Sequence, residues 1–466
     1  MCDTLTLVNR MTPPMLAPGV STRGDAVSTS LSSMHARAVR GPHQARRALA
    51  ILSVHASPRG VLGRGENGGM NNVVLRLCEG LAAAGVPTDV FVRRDDRISP
   101  AEELIAPTSR LVRLPAGPPE SLPKDEVLLH LPAFTRALLE HAESEERRYR
   151  LVHAHYWLSG WAGRRVAQQW GVAFIQSFHT LARVKESAGG AAQSERAAVE
   201  ALLARSADRL VAVSAAEERA LTALYGADPA RICVIPPGVD LEQFSPRPTA
   251  TLRRRLGLLD RRVVLYAGRL ERLKGADLLL EAMALVARRP GFEDVVTLVA
   301  GEDSGDGRCE ADHPQGERGR LEGLAARLGL QPQVRFLGAV PPEELAALYA
   351  LADVCVVPSR TEAFGLVALE AQASGTPVVA AAVGGLVDIV ADRQTGYLVT
   401  GRSAADYAEP IARILADSAL ATRMGDAARA RAGDLSWGHA TERLLALYDC
   451  VESPQPAGAL ESCGCL

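Results

Sequence analysis

The segment from Asp353 to Ala382 limits the possible folds more than any other part of the chain. Two short apolar runs, Asp353 to Val357 and Val378 to Ala382, read as buried parallel strands. Between them, Leu366 to Ser374 is rich in Ala and Leu and reads as a helix. Gly375 stops it, and Pro377 lies just beyond. Phe364-Gly365 marks the turn into that helix, where backbone N–H groups point outward and attract phosphate. Glu362 sits just before the helix and Glu370 inside it, at most about 12 Å apart at helical rise. Two carboxylates flanking a helix N-terminus suit a ligand that is anionic at one end and rich in hydroxyls at the other. They would equally suit a surface helix carrying two solvated acids.

Strand and helix patterns alternate through the rest of the chain in the same way. Ala48 to Val54 reads as the first strand and Met70 to about Ala84 as the helix after it. Strands follow at Asp89 to Val92, Leu111 to Leu114, Leu151 to Ala154, Ala173 to Ser177 and Arg209 to Val213, with helices near Val127 to His141, Leu158 to Gln169 and Ala191 to Arg205. This is the pattern of a doubly wound parallel sheet. Ligands sit at the carboxyl ends of such strands. The polar residues cluster at those ends: His55, then His153, His155 and Tyr156, then His179 and Thr180, then Ser214.

Pro236 to Pro246 closes the first half, and the Pro-rich stretch to Thr251 reads as a hinge. A second α/β series opens with the strand Val263 to Gly268 and a helix near Gly275. Arg269 and Lys274 fall between them, and two cations at a strand-to-helix turn suit a diphosphate. Residues 303 to 318 read as an inserted surface loop. A strand at Val334 to Leu337, another strand-to-helix loop at Gly384-Gly385 and helices over about Asp406 to Leu447 complete the series. The expected organisation is a disordered extension over 1–45, a Rossmann-like domain over 46–248, a second over 249–430, a helix over 431–450 packing back toward the first, and a loose tail over 451–466.

The 466 residues suffice for two full cores. A net charge of −2 leaves no bulk basic surface for nucleic acid. No uninterrupted apolar run reaches membrane-spanning length, and the N-terminus lacks a signal-peptide core. Several cysteines fall in apolar runs, which fits buried thiols in a reducing cytoplasm. Lysine occurs only at Lys124, Lys185 and Lys274 among the 52 Lys and Arg. Where Arg has replaced Lys so widely, Lys survives best where a compact ammonium is needed. That makes all three site candidates.

One alternative comes from Gly63, Gly65 and Gly68, which match G-x-G-x-x-G, with Asp89 about where a ribose-binding acid would stand. That reading is an NAD-dependent oxidoreductase. Against it, Pro58 and several further residues separate strand from glycines. Gly68-Gly69 also has a simpler use, because it lets backbone N–H groups approach an oxyanion at the helix start.

Glu362-x7-Glu370 followed by Gly375-Thr-Pro-Val-Val379 resembles the signature of the retaining glycosyltransferases of family 4, which have the GT-B fold. The resemblance spans roughly residues 48 to 450. It implies two Rossmann-like doubly wound domains facing a central cleft, the first for the acceptor and the second for the nucleotide sugar. Within the family, His55-Ala-Ser-Pro58, Gly68-Gly-Met-Asn71, Ala116-Gly-Pro118 with Lys124, His155-Tyr-Trp-Leu-Ser-Gly160 and His179-Thr-Leu181 with Lys185 look closest to one branch. That branch moves N-acetylglucosamine from its UDP carrier to D-inositol 3-phosphate in mycothiol assembly. It implies acceptor contacts at His55, Asn71, Lys124, Tyr156, Thr180 and Arg196. Donor contacts would fall to Gly68, Gly69, Arg269, Lys274, Val334, Glu362, Phe364, Gly365, Leu366 and Glu370, and catalytic roles to His179, Arg269, Lys274 and Glu362. A magnesium near Thr376, outside the catalytic step, and a homodimer are also features of relatives. The chain departs from the branch at Val61-Leu62 and Gly65-Glu-Asn67. This leaves open an antibiotic-pathway transferase using a GDP-sugar with a thiol or aminocyclitol acceptor, a sucrose-phosphate-synthase-like transferase, and a sugar-binding relative without turnover.

Overall fold

The computed structural model describes residues 47–60, 68–303 and 316–452. The readings of residues 1–45, of Gly63 and Gly65, of 304–315 and of the tail from 453 lie outside these.

Eight strands form the first sheet: β1 (Ala48–Leu52), β2 (Thr88–Arg93), β3 (Glu102–Ala106), β4 (Ser109–Leu114), β5 (Tyr149–His155), β6 (Ala173–Ser177), β7 (Arg209–Ala212) and β8 (Ile232–Val234). Their order is β3-β4-β2-β1-β5-β6-β7-β8. Every pairing is parallel except β3 with β4, an antiparallel edge pair that the expected all-parallel pattern did not include. Its residues explain the omission. Glu102–Ala106 is charged and half exposed, so it carries no apolar run to read. The central strand β1 sends Ala48, Ala50 and Leu52 to one face and Leu49 and Ile51 to the other, into two separate apolar cores. Burial on both faces is why the interior strands read as continuous apolar runs.

The second sheet contains β9 (Arg262–Ala267), β10 (Val295–Ala300), β11 (Val334–Gly338), β12 (Val354–Val357), β13 (Val378–Ala381) and β14 (Gly396–Val399), all parallel, in the order β11-β10-β9-β12-β13-β14. The reading of 303 to 318 as one loop is corrected at its end, because Gly316–Arg327 is a helix. The last helix, Trp437–Glu452, places Ala440, Leu444, Leu447 and Tyr448 in the same apolar core as Leu49, Ile51 and Val90. It passes so close to the helix Gly69–Ala83 that a Cβ on Gly80 would lie 2.1 Å from Thr441 Oγ1. The lobes also meet where Ser214 Oγ donates to Ala363 O at 2.7 Å and Val239 N donates to Leu435 O at 2.9 Å.

Leaving aside the antiparallel edge strand β3, the chain order reverses once in each sheet, between β1 and β5 in the first and between β9 and β12 in the second. Reversal opens a crevice at the strands' carboxyl ends, and the two crevices supply the walls of one cleft.

Candidate active site

The cleft holds a cavity of about 480 Å³. One of its walls begins where β9 ends. Gly268 and Arg269 follow the strand, then a short 3₁₀ turn, Arg272–Lys274, brings Lys274 to the same wall. Arg269 Nη2 donates to Glu271 Oε1 at 3.3 Å. Lys274 Nζ donates to Glu362 Oε2 at 2.7 Å, joining the β9 loop to the β12 loop.

Beyond Glu362, Phe364 is buried and Gly365 turns the chain into the helix Leu366–Ala373. Gly365 has φ +111°, and a Cβ there would lie 2.7 Å from Leu386 Cδ2. Only glycine suits both demands. No side chain caps this helix start, so its first N–H groups remain available to an anion. The helix Gly69–Ala83 of the other lobe opens on the same space. A Cβ on Gly69 would lie 3.0 Å from Leu366 Cδ1, and one on Gly68 3.9 Å from Arg269 Nε. Two helix N-termini, a guanidinium and an ammonium therefore border one small volume.

Glu370 lies one turn into its helix and also lines the cavity. Tyr349 donates its hydroxyl to Glu370 Oε2 at 3.0 Å. Burial pushes the Glu370 carboxyl up to about 7, against the opposing effects of the Tyr349 bond and of Arg76.

The opposite wall comes from the first lobe. His55 follows β1, Tyr156 follows β5, and His179 and Thr180 follow β6, while Lys124 starts the helix Lys124–Ser144. The His55 and Tyr156 rings are 4.5 Å apart, and Lys124 Nζ stands 5.9 Å from the Tyr156 ring centre. Asn71 accepts from Gly68 N at 3.3 Å and donates to Ser57 O at 2.6 Å, fixing the start of its helix. Tyr156 and His179 have φ of +76° and +62°, two of the four described non-glycine residues in that region. Such positions persist only where surrounding structure enforces them, and they gather at functional sites. Burial lowers the pKa of His179 to about 4 and of His153 to about 3, and drives His55 and His155 well below the usual range. These rings are neutral near pH 7.

Of the residues expected to contact donor or acceptor or to take a catalytic role, all but Arg196 and Val334 line the cavity, whereas His153, His155 and Ser214 do not. Arg196 stands behind the wall. It donates to Thr180 O at 2.7 Å and Thr180 Oγ1 at 3.0 Å, pairs with Glu200 at 2.7 Å, and lies 4.8 Å from the Tyr156 ring centre. It shapes the two lining residues from behind. Val334 is corrected more fully. It opens β11, at the end of the sheet away from the cleft, and Ala339 and Val340 beyond that strand's carboxyl end line the cavity instead. Ser214 caps its own helix through Glu217 N. Asp89 is fully buried, accepts from Arg110 and Tyr149 and pairs with Arg147, at the amino half of β2. A carboxylate committed to that network cannot serve a ribose in the cleft, which removes the structural support for the nicotinamide alternative.

Sequence reasoning missed Arg76, Asp240 and Gln243, which also line the cavity. Arg76 donates to Gln243 Oε1 at 3.1 Å and lies 3.5 Å from Asp240 Oδ2. Arg76 was findable, since it lies two helical turns after Gly69 on the same face. The other two sit in the segment read only as a boundary.

A magnesium near Thr376 does not fit the residues present. The Thr376 hydroxyl is buried and donates to Tyr349 O at 2.6 Å. Among the described residues, the cluster of acidic and histidine side chains compact enough to share an ion is Glu102, His141 and Glu145, which does not include Thr376 or any cavity-lining residue.

Two family models match. Residues 68–238 match the glycosyl transferase 4-like domain, and residues 249–431 match glycosyl transferases group 1. The chain belongs to the group 1 glycosyltransferases. It is 43% identical over 410 residues to a D-inositol 3-phosphate glycosyltransferase of Acidothermus cellulolyticus, covering 86% of this chain and 90% of that one. It is 45% identical over 421 residues to a protein of the same name from Geodermatophilus obscurus, covering 89% and 91%. Among solved structures it resembles sucrose-phosphate synthase from Thermosynechococcus elongatus, with a TM-score of 0.79, 36% identity, and 87% and 99% coverage. Anabaena HepE in complex with UDP and glucose shares the fold, with a TM-score of 0.70, 20% identity, and 87% and 100% coverage. This glycosyltransferase thus has the GT-B architecture of two Rossmann-like lobes. No helix among its described residues is long and apolar enough to cross a membrane.

Proposed function

We propose that this glycosyltransferase moves N-acetylglucosamine from UDP to D-inositol 3-phosphate with retention at the anomeric carbon. The supporting observation is the division of cations across the cleft. Arg269, Lys274 and two helix N-termini border one region, while Lys124, Tyr156 and Thr180 border another, with Arg196 behind them. A reaction between a diphosphate-linked sugar and a phosphorylated acceptor needs two such anion sites. The relatives' shared name favours inositol phosphate as the acceptor. On this reading the first lobe binds acceptor and the second binds donor.

In the reaction, the bond between the anomeric carbon and the diphosphate oxygen breaks as an acceptor hydroxyl approaches the same face. A diphosphate oxygen takes the acceptor's proton. Arg269, Lys274 and the N–H groups after Gly365 stabilise the charge that gathers on UDP, in a site where donors already in place cost no reorganisation. With those partners no metal enters the step. Glu362 holds the Lys274 ammonium and is placed to accept from a sugar hydroxyl. Glu370 accepts from the ribose, and neutral His179 hydrogen-bonds the sugar. The cleft's two walls shield the donor from water.

A second reading rests on the sucrose-phosphate synthase likeness. The same anion site would then hold a hexose phosphate. Mass spectrometry of products separates the readings. UDP-N-acetylglucosamine with D-inositol 3-phosphate should give a product one N-acetylhexosamine heavier, with no product from unphosphorylated inositol. Product only from UDP-glucose and fructose 6-phosphate would overturn the first reading in favour of the second.

A further inference from the structure

The reading above leaves unused the residue behind His179. His155 ends β5, immediately before Tyr156 with its positive φ, and is buried. Its Nδ1 lies 2.8 Å from His179 Nε2, and the two rings meet edge to edge, their planes 19° apart and their centroids 5.1 Å apart, as an in-plane N–H···N bond requires. The other nitrogen of His155, Nε2, is buried with no hydrogen-bond partner among the described residues. Two neutral rings share this contact, so one donates and one accepts. If His155 accepted, its own proton would sit on Nε2 as an orphaned buried N–H, the less tolerated kind of unsatisfied group. If His155 donates from Nδ1, only a lone pair is left unpaired. His179 then accepts at Nε2, and its proton must be on Nδ1, the nitrogen left for the cleft that His179 lines.

We propose that His155 is a positioning residue that holds His179 as the Nδ1–H tautomer, so that the cleft meets a hydrogen-bond donor and not a lone pair. A sugar hydroxyl oxygen or amide carbonyl would accept from it. His153 does not compete for the contact. Its Nδ1 is 2.7 Å from the Tyr448 hydroxyl and its Nε2 is 2.9 Å from Ser177 Oγ. Only the choice of partner for His179 rests on the glycosyl-transfer reading, because the tautomer exists without substrate.

Long-range ¹⁵N–¹H spectra of the full chain, labelled at histidine and without ligand, read the tautomer directly. The His179 signals are assigned by their loss in His179→Asn. The wild type should show a protonated Nδ1 and a bare Nε2. His155→Phe should move the proton of His179 to Nε2 in part or in full and lower kcat by about tenfold, the worth of one hydrogen bond. His155→Asn sets an amide near the place of Nδ1 and should restore both the signal and the rate. A wild-type His179 protonated at Nε2 overturns the inference, as does a signal unchanged in folded His155→Phe. Should the tautomer behave as expected while no sugar is transferred, the reading of function fails and the positioning role stands.

Discussion

At the scale of single residues, the account depends most on Arg269, Lys274, Glu362 and Glu370, the two cations and two carboxylates of the second lobe's wall. Arg269→Ala and Lys274→Ala should each lower kcat by about a hundredfold to a thousandfold, as loss of one transition-state donor does. Their melting temperatures should stay near the wild type's, because both side chains are partly exposed and neither is in a core. Steady-state kinetics beside thermal denaturation checks both halves. Glu370 carries a pH signature. Its carboxyl rises from an ordinary 4.5 to about 7 in the folded chain, so between those values the folded chain keeps a proton that the unfolded chain has lost. Stability from this group is therefore full below 4.5 and falls as pH rises through about 7. Glu370→Gln should melt at increasingly higher temperature than the wild type from pH 5 to pH 8, and a constant difference would refute this. Donor binding should show the converse trend, since only the ionised carboxylate is a pure acceptor for ribose hydroxyls. Ligand affinity that falls with rising pH in the wild type relative to Glu370→Gln would contradict it.

At the scale of elements, the turn into Leu366–Ala373 and the last helix carry separate burdens. Gly365→Ala places a Cβ both at φ +111° and 2.7 Å from Leu386. It should cost about 1–3 kcal/mol for the backbone alone and weaken UDP binding, measured by denaturation and calorimetry. Leu444, fully buried between the last helix and the first sheet, should cost about 2–5 kcal/mol as Leu444→Ala while leaving the affinity for UDP unchanged. These elements differ in how plainly the sequence shows them. Leu366 to Ser374 was legible because its apolar content, glycine stop and proline all agree, and the structure ends it at Ala373. Val378–Ala381 was legible because a buried parallel strand is a bare apolar run between turns. Glu102–Ala106 was hidden because an exposed edge strand needs only backbone pairing, and its side chains are free to look like loop. Gly316–Arg327 was hidden because only Leu321 and Ala325 of its residues are buried, too few to set a period.

At the scale of the whole molecule, the site exists only because two sheets each reverse their strand order at the same cleft. That convergence is tertiary, and single residues reveal it unevenly. The cations at 269 and 274 and the histidines at strand ends were readable, since a strand-to-helix turn marks its own ligand side. Arg196 and Val334 show the opposite. One was expected to touch ligand and is a brace behind Thr180, and the other sits at the wrong end of its strand. Val334 came from the resemblance alone, against the rule that ligands sit at strand carboxyl ends, and local spacing does not tell which arginine packs behind another residue.

The clamp on the diphosphate is the claim to test most directly, by calorimetric titration of UDP and of uridine into the wild type and into Arg269→Ala/Lys274→Ala. The wild type should bind UDP at least about a hundredfold more tightly than uridine, a difference of about 2.7 kcal/mol. The double variant should lose most of that preference and bind uridine as before. A double variant that keeps the wild-type preference for UDP would place the diphosphate elsewhere and contradict the account.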